Sequence, residues 1–176
     1  MKKILFVGMV LLYIFSCIFI FMSCKKGSIE FNVAYRSRQL FSFAKDDEGQ
    51  WDKMYTGTKL LFNFTELKDM CEEYDNPAFD SQAEGYDSAL SLKLREYDDV
   101  YFEEKALVIY SGYSWNESRK PKVKWITVND TILTIVIGLK NDWRVHTTEA
   151  VSILFLIEVN KSDVQGVTDI RVETKE

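Results

Sequence analysis

Proline, glycine, cysteine and histidine are all scarce in this sequence. Two prolines and eight glycines in 176 residues leave no tract that is typical of a linker, a solenoid or a disordered arm. Two of the three cysteines fall in the first 24 residues, so the rest of the chain keeps only Cys71, which excludes a disulfide framework. Hydrophobic residues make up 47% of the chain, enough for one globular domain with its own core.

No catalytic or metal-binding motif stands out among the polar residues. His146 is the only histidine, and it has neither a second histidine nor a cysteine pair with which to bind zinc. Residues 112–116 begin like a nucleophile elbow, but the closing glycine is absent and Pro121 interrupts the helix that should follow. Acidic groups at 46–48 and 75–87 lack the spacing of a calcium loop. The sequence therefore predicts a protein without catalysis, cofactor or metal.

The chain is acidic overall. Its 27 acidic and 22 basic residues give a formal net charge of −5. Removal of an N-terminal segment that holds Lys2 and Lys3 would change that charge to −7. Because nucleic acid repels a negatively charged body, we expect no nucleic acid among the partners.

The N-terminus has the order of an export signal. Lys2 and Lys3 precede an uncharged run at residues 4–23, and Cys24 stands at its polar boundary. The residues Phe21-Met22-Ser23-Cys24 resemble the lipobox of bacterial lipoproteins. That resemblance implies cleavage before Cys24, attachment of diacylglycerol, with palmitate-type chains, to its sulfur, and a single exported domain over residues 24–176.

Two other interpretations of this segment are open. The run is close to the roughly 20 residues that span a bilayer, so residues 4–23 also fit an uncleaved anchor helix. An ordinary secreted protein is the third possibility. All three export the domain, and the first two hold it at the cell membrane by its N-terminus, outside the cytoplasm.

Residues 123–137 predict a β-hairpin that is apolar on both faces. Asn129 and Asp130 tolerate the positive φ of a two-residue turn, and with the turn there Ile126 faces Leu133. We therefore expect another sheet or a helix to cover each face.

Several other segments have the pattern of strands. Residues 29–35 alternate as a half-buried strand, 106–110 are apolar, 151–159 are almost continuously apolar and should be central, and 168–174 carry the charges of a sheet edge. Residues 60–64 fit a strand or a packed lead-in. About six or seven strands are expected.

Helical periodicity is clearest at residues 65–74. Cys71 lies on the apolar stripe of this helix and is interpreted as a buried core residue, while either Asn63 or Thr65 fits the N-cap. Residues 88–97 fit strand or helix equally, and 98–104 predict a helical turn with Val100 and either Tyr101 or Phe102 directed inward. The expected fold is α+β, a mainly antiparallel sheet with one packed helix and an N-terminal apolar helix.

The most distinctive surface candidate lies between the strand at 106–110 and the hairpin. Aromatic and basic residues adjoin there in an acidic chain, which favours partner binding. The candidate partner-binding residues are Tyr113, Trp115, Arg119, Lys120 and Lys122, with Tyr110 and Lys124 beside them. In the alternative interpretation, Tyr110 and Trp115 pack in the core and the lysines protect an exposed strand.

The C-terminal half also carries a family resemblance. Residues 102–109, 123–126, 147–150 and 157–161 resemble small uncharacterised lipoproteins of Gram-positive bacteria and spirochaetes. More faintly, they resemble the β-rich domain of lipoproteins that accompany a surface protease, although the motif glycines of that group are absent. Because the sequence has no catalytic set, the leading hypothesis is a membrane-anchored lipoprotein whose β-rich domain binds a protein or envelope component through residues 113–124. A small-ligand or ion carrier is the alternative, and an enzyme comes third.

Overall fold

The computed structural model describes residues 27–41, 55–114, 121–138 and 151–175, and within these ranges the chain forms eight strands and four α-helices. The strands are β1 (Ser28–Ile29), β2 (Phe31–Ser37), β3 (Gly57–Leu61), β4 (Lys105–Ser114), β5 (Lys122–Asn129), β6 (Ile132–Gly138), β7 (Val151–Asn160) and β8 (Asp169–Lys175). The helices are α1 (Phe64–Glu73), α2 (Ala89–Leu94), α3 (Tyr101–Glu104) and α4 (Lys161–Val164), and a 3₁₀ turn covers Pro77–Phe79.

The strands form two four-stranded sheets. The first sheet has the order β1-β5-β6-β8, and the second has the order β2-β7-β4-β3. All neighbouring strands are antiparallel except β6 and β8, which run parallel. The predicted α+β class with mainly antiparallel pairing is confirmed. The predicted single sheet of six or seven strands with one packed helix is wrong, because eight strands form two sheets and the short helices α2 and α3 pack in the same core as α1.

The second sheet lies in the middle of the molecule and is buried on both faces. Leu154 and Leu156 of β7 pack with Leu67 and Met70 of α1 in one core. Phe155 and Ile157, one residue along the same strand, pack against Leu133 and Ile135 of the first sheet in the other core. Alternating side chains of β7 thus serve opposite cores, as the period of a strand requires. The prediction that residues 151–159 are central is confirmed.

The predicted strand at residues 29–35 is divided between the two sheets. Ile29 pairs with Ile126 in the first sheet, and Phe31 pairs with Val159 in the second. The change of sheet occurs at Glu30. A pattern of period two predicts extended backbone but does not specify the strand that it pairs with. This break could therefore not be predicted from the sequence.

The predicted hairpin forms, but its turn lies one residue later than expected. Asn129 pairs with Ile132, so Asp130 and Thr131 make the connection, and Asp130 has φ of 53°. Residues 125–129 therefore each face a partner two positions later than predicted, which leaves their side-chain faces unchanged. Before them, a β-bulge pairs Val123 with Ile137 on the inner face, where Val136 was the predicted partner. One face packs on the second sheet. The other carries Trp125 and Thr134, which are half-buried.

Helix α1 begins after Asn63, the first of the two N-cap residues that the sequence predicts. The Asn63 side chain accepts the Glu66 backbone N–H at 2.8 Å, and the Glu66 carboxylate accepts the Phe62 N–H at 2.7 Å. Cys71 is 2% exposed, so its interpretation as a core residue is confirmed. Thr65, the alternative cap, lies inside the helix.

Residues 88–97, whose sequence fits a strand or a helix equally, contain helix α2. Ser88 accepts the Ser91 N–H at 3.1 Å as its N-cap, and Leu90 and Leu94 point into the core while Leu92 is exposed. The helical turn predicted at 98–104 also forms, as α3. The inward direction of Val100 is wrong, since its side chain is 70% exposed, while the inward direction of Phe102 is confirmed, since Phe102 is buried.

Candidate functional site

The partner-binding residues predicted from the sequence fall partly within the described ranges. Tyr113 lies near the end of β4 with 44% of its surface exposed, and Lys122 is exposed at the start of β5. Both therefore lie near strand ends, on different sheets. Trp115, Arg119, Lys120, Cys24 and His146 lie outside the described residues, as does the acidic group at 46–48. Ser114 belongs to β4, within the described backbone.

Tyr110, by contrast, belongs to the interior. Its ring stacks on Phe155 with centroids 6.1 Å apart, and burial raises the pKa of its hydroxyl. The part of the alternative interpretation that makes Tyr110 a packing residue is therefore confirmed, whereas Trp115 lies outside the described residues.

Strand register brings three lysines together at one end of the first sheet. Lys122 of β5 pairs with Gly138 of β6, and Gly138 pairs on its other side with Lys175 of β8. Because Val123 and Ile137 point to the inner core, their neighbours Lys122 and Gly138 point to the outer face. We call the group formed by Lys122, Lys124, Lys175 and the half-buried Trp125 the lysine surface.

A β-bulge determines the position of Lys124, the third lysine of the lysine surface. The pairing of β5 with β6 shifts between Val123 and Trp125, so Lys124 has no opposite residue. Its aliphatic chain lies across Gly138, at a position where a Cβ atom on residue 138 would overlap it. Glycine at this position therefore gives Lys124 room to lie beside Lys122.

An aromatic ring completes the lysine surface. The Lys175 Nζ atom lies 4.9 Å from the centroid of the Trp125 ring, within the range of a cation–π contact. This contact joins the end of β8 to β5 across the intervening strand β6. Trp125 and Lys175 are 50 positions apart in the sequence, and only the parallel pairing of β8 with β6 brings them together.

The positive charge of this surface is unpaired within the described part of the chain. Lys93 bonds to Glu96 at 2.6 Å, and Lys59 lies 3.6 Å from Glu73, but Lys122, Lys124 and Lys175 contact no described carboxylate within 4 Å. Among the described residues, Glu173 is the acidic residue nearest by register, opposite Val136 on the same face. Three ammonium groups therefore lie beside one described carboxylate at this end of the sheet, in a chain that is acidic overall.

A second polar cluster joins α2 to the central sheet. The Tyr97 hydroxyl donates to the Glu158 carboxylate at 3.2 Å, Asn32 donates to it at 2.9 Å, and Lys93 lies 3.7 Å away. Burial and then the charge of Glu158 raise the pKa of Tyr97 well above its usual range, and the same causes raise the pKa of Tyr101. Tyr97 thus remains a hydrogen-bond donor at neutral pH, and the cluster ties α2, β2 and β7 together.

A groove of about 540 Å³ lies between α1 and the 3₁₀ turn. Carboxylates dominate its polar lining, with Lys68 as the one described cation; the acidic residues are Asp69, Glu72, Asp75 and Asp80. Cys71 borders the groove, and burial raises the pKa of its thiol to about 12, so the thiol is neutral and unreactive at physiological pH.

Two further classes of feature are absent from the described ranges. Within them, no three His, Cys, Asp or Glu side chains come close enough to hold a metal ion. No helix of the same ranges is long and apolar enough to cross a membrane. The predicted signal or anchor at residues 4–23 lies outside them.

Comparisons with protein-family models, curated protein sequences and solved structures find no match to this chain. The resemblance to small bacterial lipoproteins therefore stays a prediction from the sequence.

Proposed function

We propose that the chain is a membrane-anchored bacterial lipoprotein whose β-rich domain binds an anionic protein or envelope component, without catalysis, through the lysine surface. The single observation that carries the proposal is the convergence of Lys122, Lys124 and Lys175 beside Trp125, with no described carboxylate paired to them. The lipobox-like residues before Cys24 support the attachment.

The chemistry of this surface favours an acidic partner. Ammonium groups on flexible stems act as point charges that attract carboxylate and phosphate oxygens without demanding one geometry. In water, two unit charges 4 Å apart interact by about 1 kcal/mol. Three such contacts give roughly 3 kcal/mol, which raises the affinity for an anionic partner by a factor of roughly 150 at low salt. This contribution falls steeply as the salt concentration rises.

Charge removal tests this proposal. We expect Lys122→Gln with Lys124→Gln to weaken binding of a fluorescent polyglutamate peptide to the full chain, purified in detergent, by roughly thirtyfold at low salt, since about 1 kcal/mol is lost for each of the two charges. Fluorescence anisotropy measures the affinity. Lys175→Gln should add a further loss.

The matched control removes the same charge elsewhere. Lys59→Gln with Lys68→Gln changes two lysines on β3 and α1, and we expect it to leave the affinity within about twofold. Equal losses in the two double variants would show that net charge, and not the lysine surface, governs binding. Binding of inorganic polyphosphate but not of polyglutamate would point to a phosphate-bearing envelope polymer as the partner.

The groove beside α1 favours a second candidate, a small-ligand or ion carrier. Its volume of about 540 Å³ is within the range of small-molecule sites, and its acidic lining would attract a cation. A rise in the thermal midpoint with calcium or with envelope lipids would support the carrier, and an unchanged midpoint would count against it.

A further inference from the structure

The chain enters the fold beside the turn of the β5–β6 hairpin. The Gly27 carbonyl accepts the Val128 backbone N–H at 3.0 Å, and Ser28 pairs with Thr127. Gly27 adopts a φ of +92°, a left-handed conformation that glycine tolerates without strain. The point at which the N-terminal segment leaves the domain is therefore fixed by hydrogen bonds to β5.

The same end of the molecule holds the loop that leads into β8. The Thr131 carbonyl accepts the N–H groups of Thr168 and Asp169, at 2.8 and 3.2 Å. We call this end, formed by Gly27, the hairpin turn at Asp130 and Thr131, and residues 165–168, the turn end. The lysine surface lies at the opposite end of β5, β6 and β8.

The distance from Gly27 to a membrane anchor is short. Gly27 is three positions after Cys24, and an extended chain spans at most about 3.6 Å per residue, so the reach is roughly 11 Å. A spanning helix that ends at Ser23 gives almost the same reach. The position of the anchor relative to the domain is therefore the same whether Cys24 is lipidated or residues 4–23 stay in the bilayer.

We infer that the turn end faces the membrane and that the lysine surface points away from it. This inference rests on the membrane attachment proposed above, and it adds the orientation of the attached domain. β6 pairs with β8 over seven residues, which at about 3.3 Å per residue places the lysine surface roughly 20 Å beyond the turn end.

The charge of the lysine surface is then directed at a partner, not at the lipids. The Debye length at physiological ionic strength is about 8 Å, so a distance of roughly 20 Å from the bilayer is more than two Debye lengths. The attraction between the lysines and the lipid headgroups is therefore largely screened. An anionic partner that approaches from the solvent side meets the three lysines first.

Quenching from labelled lipids tests this orientation in the full-length protein, taken from the membrane fraction and reconstituted into phosphatidylcholine vesicles. Thr131→Cys marks the turn end and Thr174→Cys marks the opposite end of the same sheet, and both side chains are exposed. A fluorophore is attached to each cysteine, and the vesicles carry a nitroxide on the lipid headgroup. The unmodified chain sets the background, because Cys71 is buried.

We expect the nitroxide to quench the fluorophore at position 131 several-fold more than the fluorophore at position 174. Equal quenching, or stronger quenching at 174, would overturn the orientation. A chain that does not remain with the vesicles would overturn it as well, and would show that the attachment is at fault. Peptide binding by the lysine surface is measured separately in detergent, so its failure is distinguishable from both.

Thermal unfolding of each variant verifies that the label sits on a folded domain. Gln165→Cys and Glu173→Cys provide a second pair at the same two ends, both exposed, should either threonine variant fail to fold. The second pair must give the same order of quenching for the inference to stand.

Discussion

Cys71 and Tyr55 lie on the helical side of the central sheet, and burial suppresses the ionisation of both side chains. Burial raises the pKa of Cys71 from 9.0 to about 12, and burial followed by the nearby Tyr74 and Glu73 raises that of Tyr55 from 10.0 to about 12. In the unfolded chain these groups lose their protons at lower pH. The folded state therefore binds more protons above pH 9, and its stability falls there as pH rises.

We expect the free energy of unfolding to be unaffected by these groups below pH 9 and to decline between about pH 9 and 12. One group can contribute at most about 1.4 kcal/mol per pH unit. Urea denaturation across this range measures the slope, and Cys71→Ala should make the slope between pH 9 and 10 shallower. An unchanged slope in Cys71→Ala would contradict the argument that burial holds the thiol neutral.

At the scale of the element, local signals predicted the helices and strands better than their partners. The Asn63 and Glu66 pair marked the start of α1 because a cap needs only residues close in sequence. Alternation assigned Phe155 and Leu156 to opposite faces for the same reason. The division of residues 29–35 between two sheets and the parallel partner of β8 depend on contacts far apart in sequence, which no local pattern encodes.

The same limit applied to the candidate site. Lys122 and Lys124 could be found because they are neighbours in an acidic chain. Lys175 could not, since it joins them only through the register of β8 on β6. Tyr110 was grouped with them by sequence, but its position on β4 directs it to the core.

The α1 cap gives a prediction at this scale. Asn63→Ala should lower the free energy of unfolding by about 1 kcal/mol, because the Glu66 N–H loses its acceptor. Thr65→Ala removes the side chain that was the other candidate cap and should cost less than about 0.5 kcal/mol, since its side chain is exposed. Chemical denaturation compares the two. A larger loss in Thr65→Ala would contradict the assignment of the cap.

At the scale of the whole molecule, the two ends of the first sheet have different roles in our account. The N-terminal segment leaves at the turn end beside Val128, while the unpaired lysines lie at the far ends of β5 and β8. The length of β5, β6 and β8 separates these two ends, and the first sheet packs on the central sheet along one face. With the membrane attachment that we propose, the cationic end would be presented to the solvent.

The attachment at Cys24 is the central claim, and the mass of the native N-terminal peptide from the membrane fraction tests it most directly. We predict a peptide that begins at Cys24 and carries diacylglycerol on the sulfur. A peptide that begins at Met1, or an unmodified N-terminus recovered from the soluble fraction, would contradict the account.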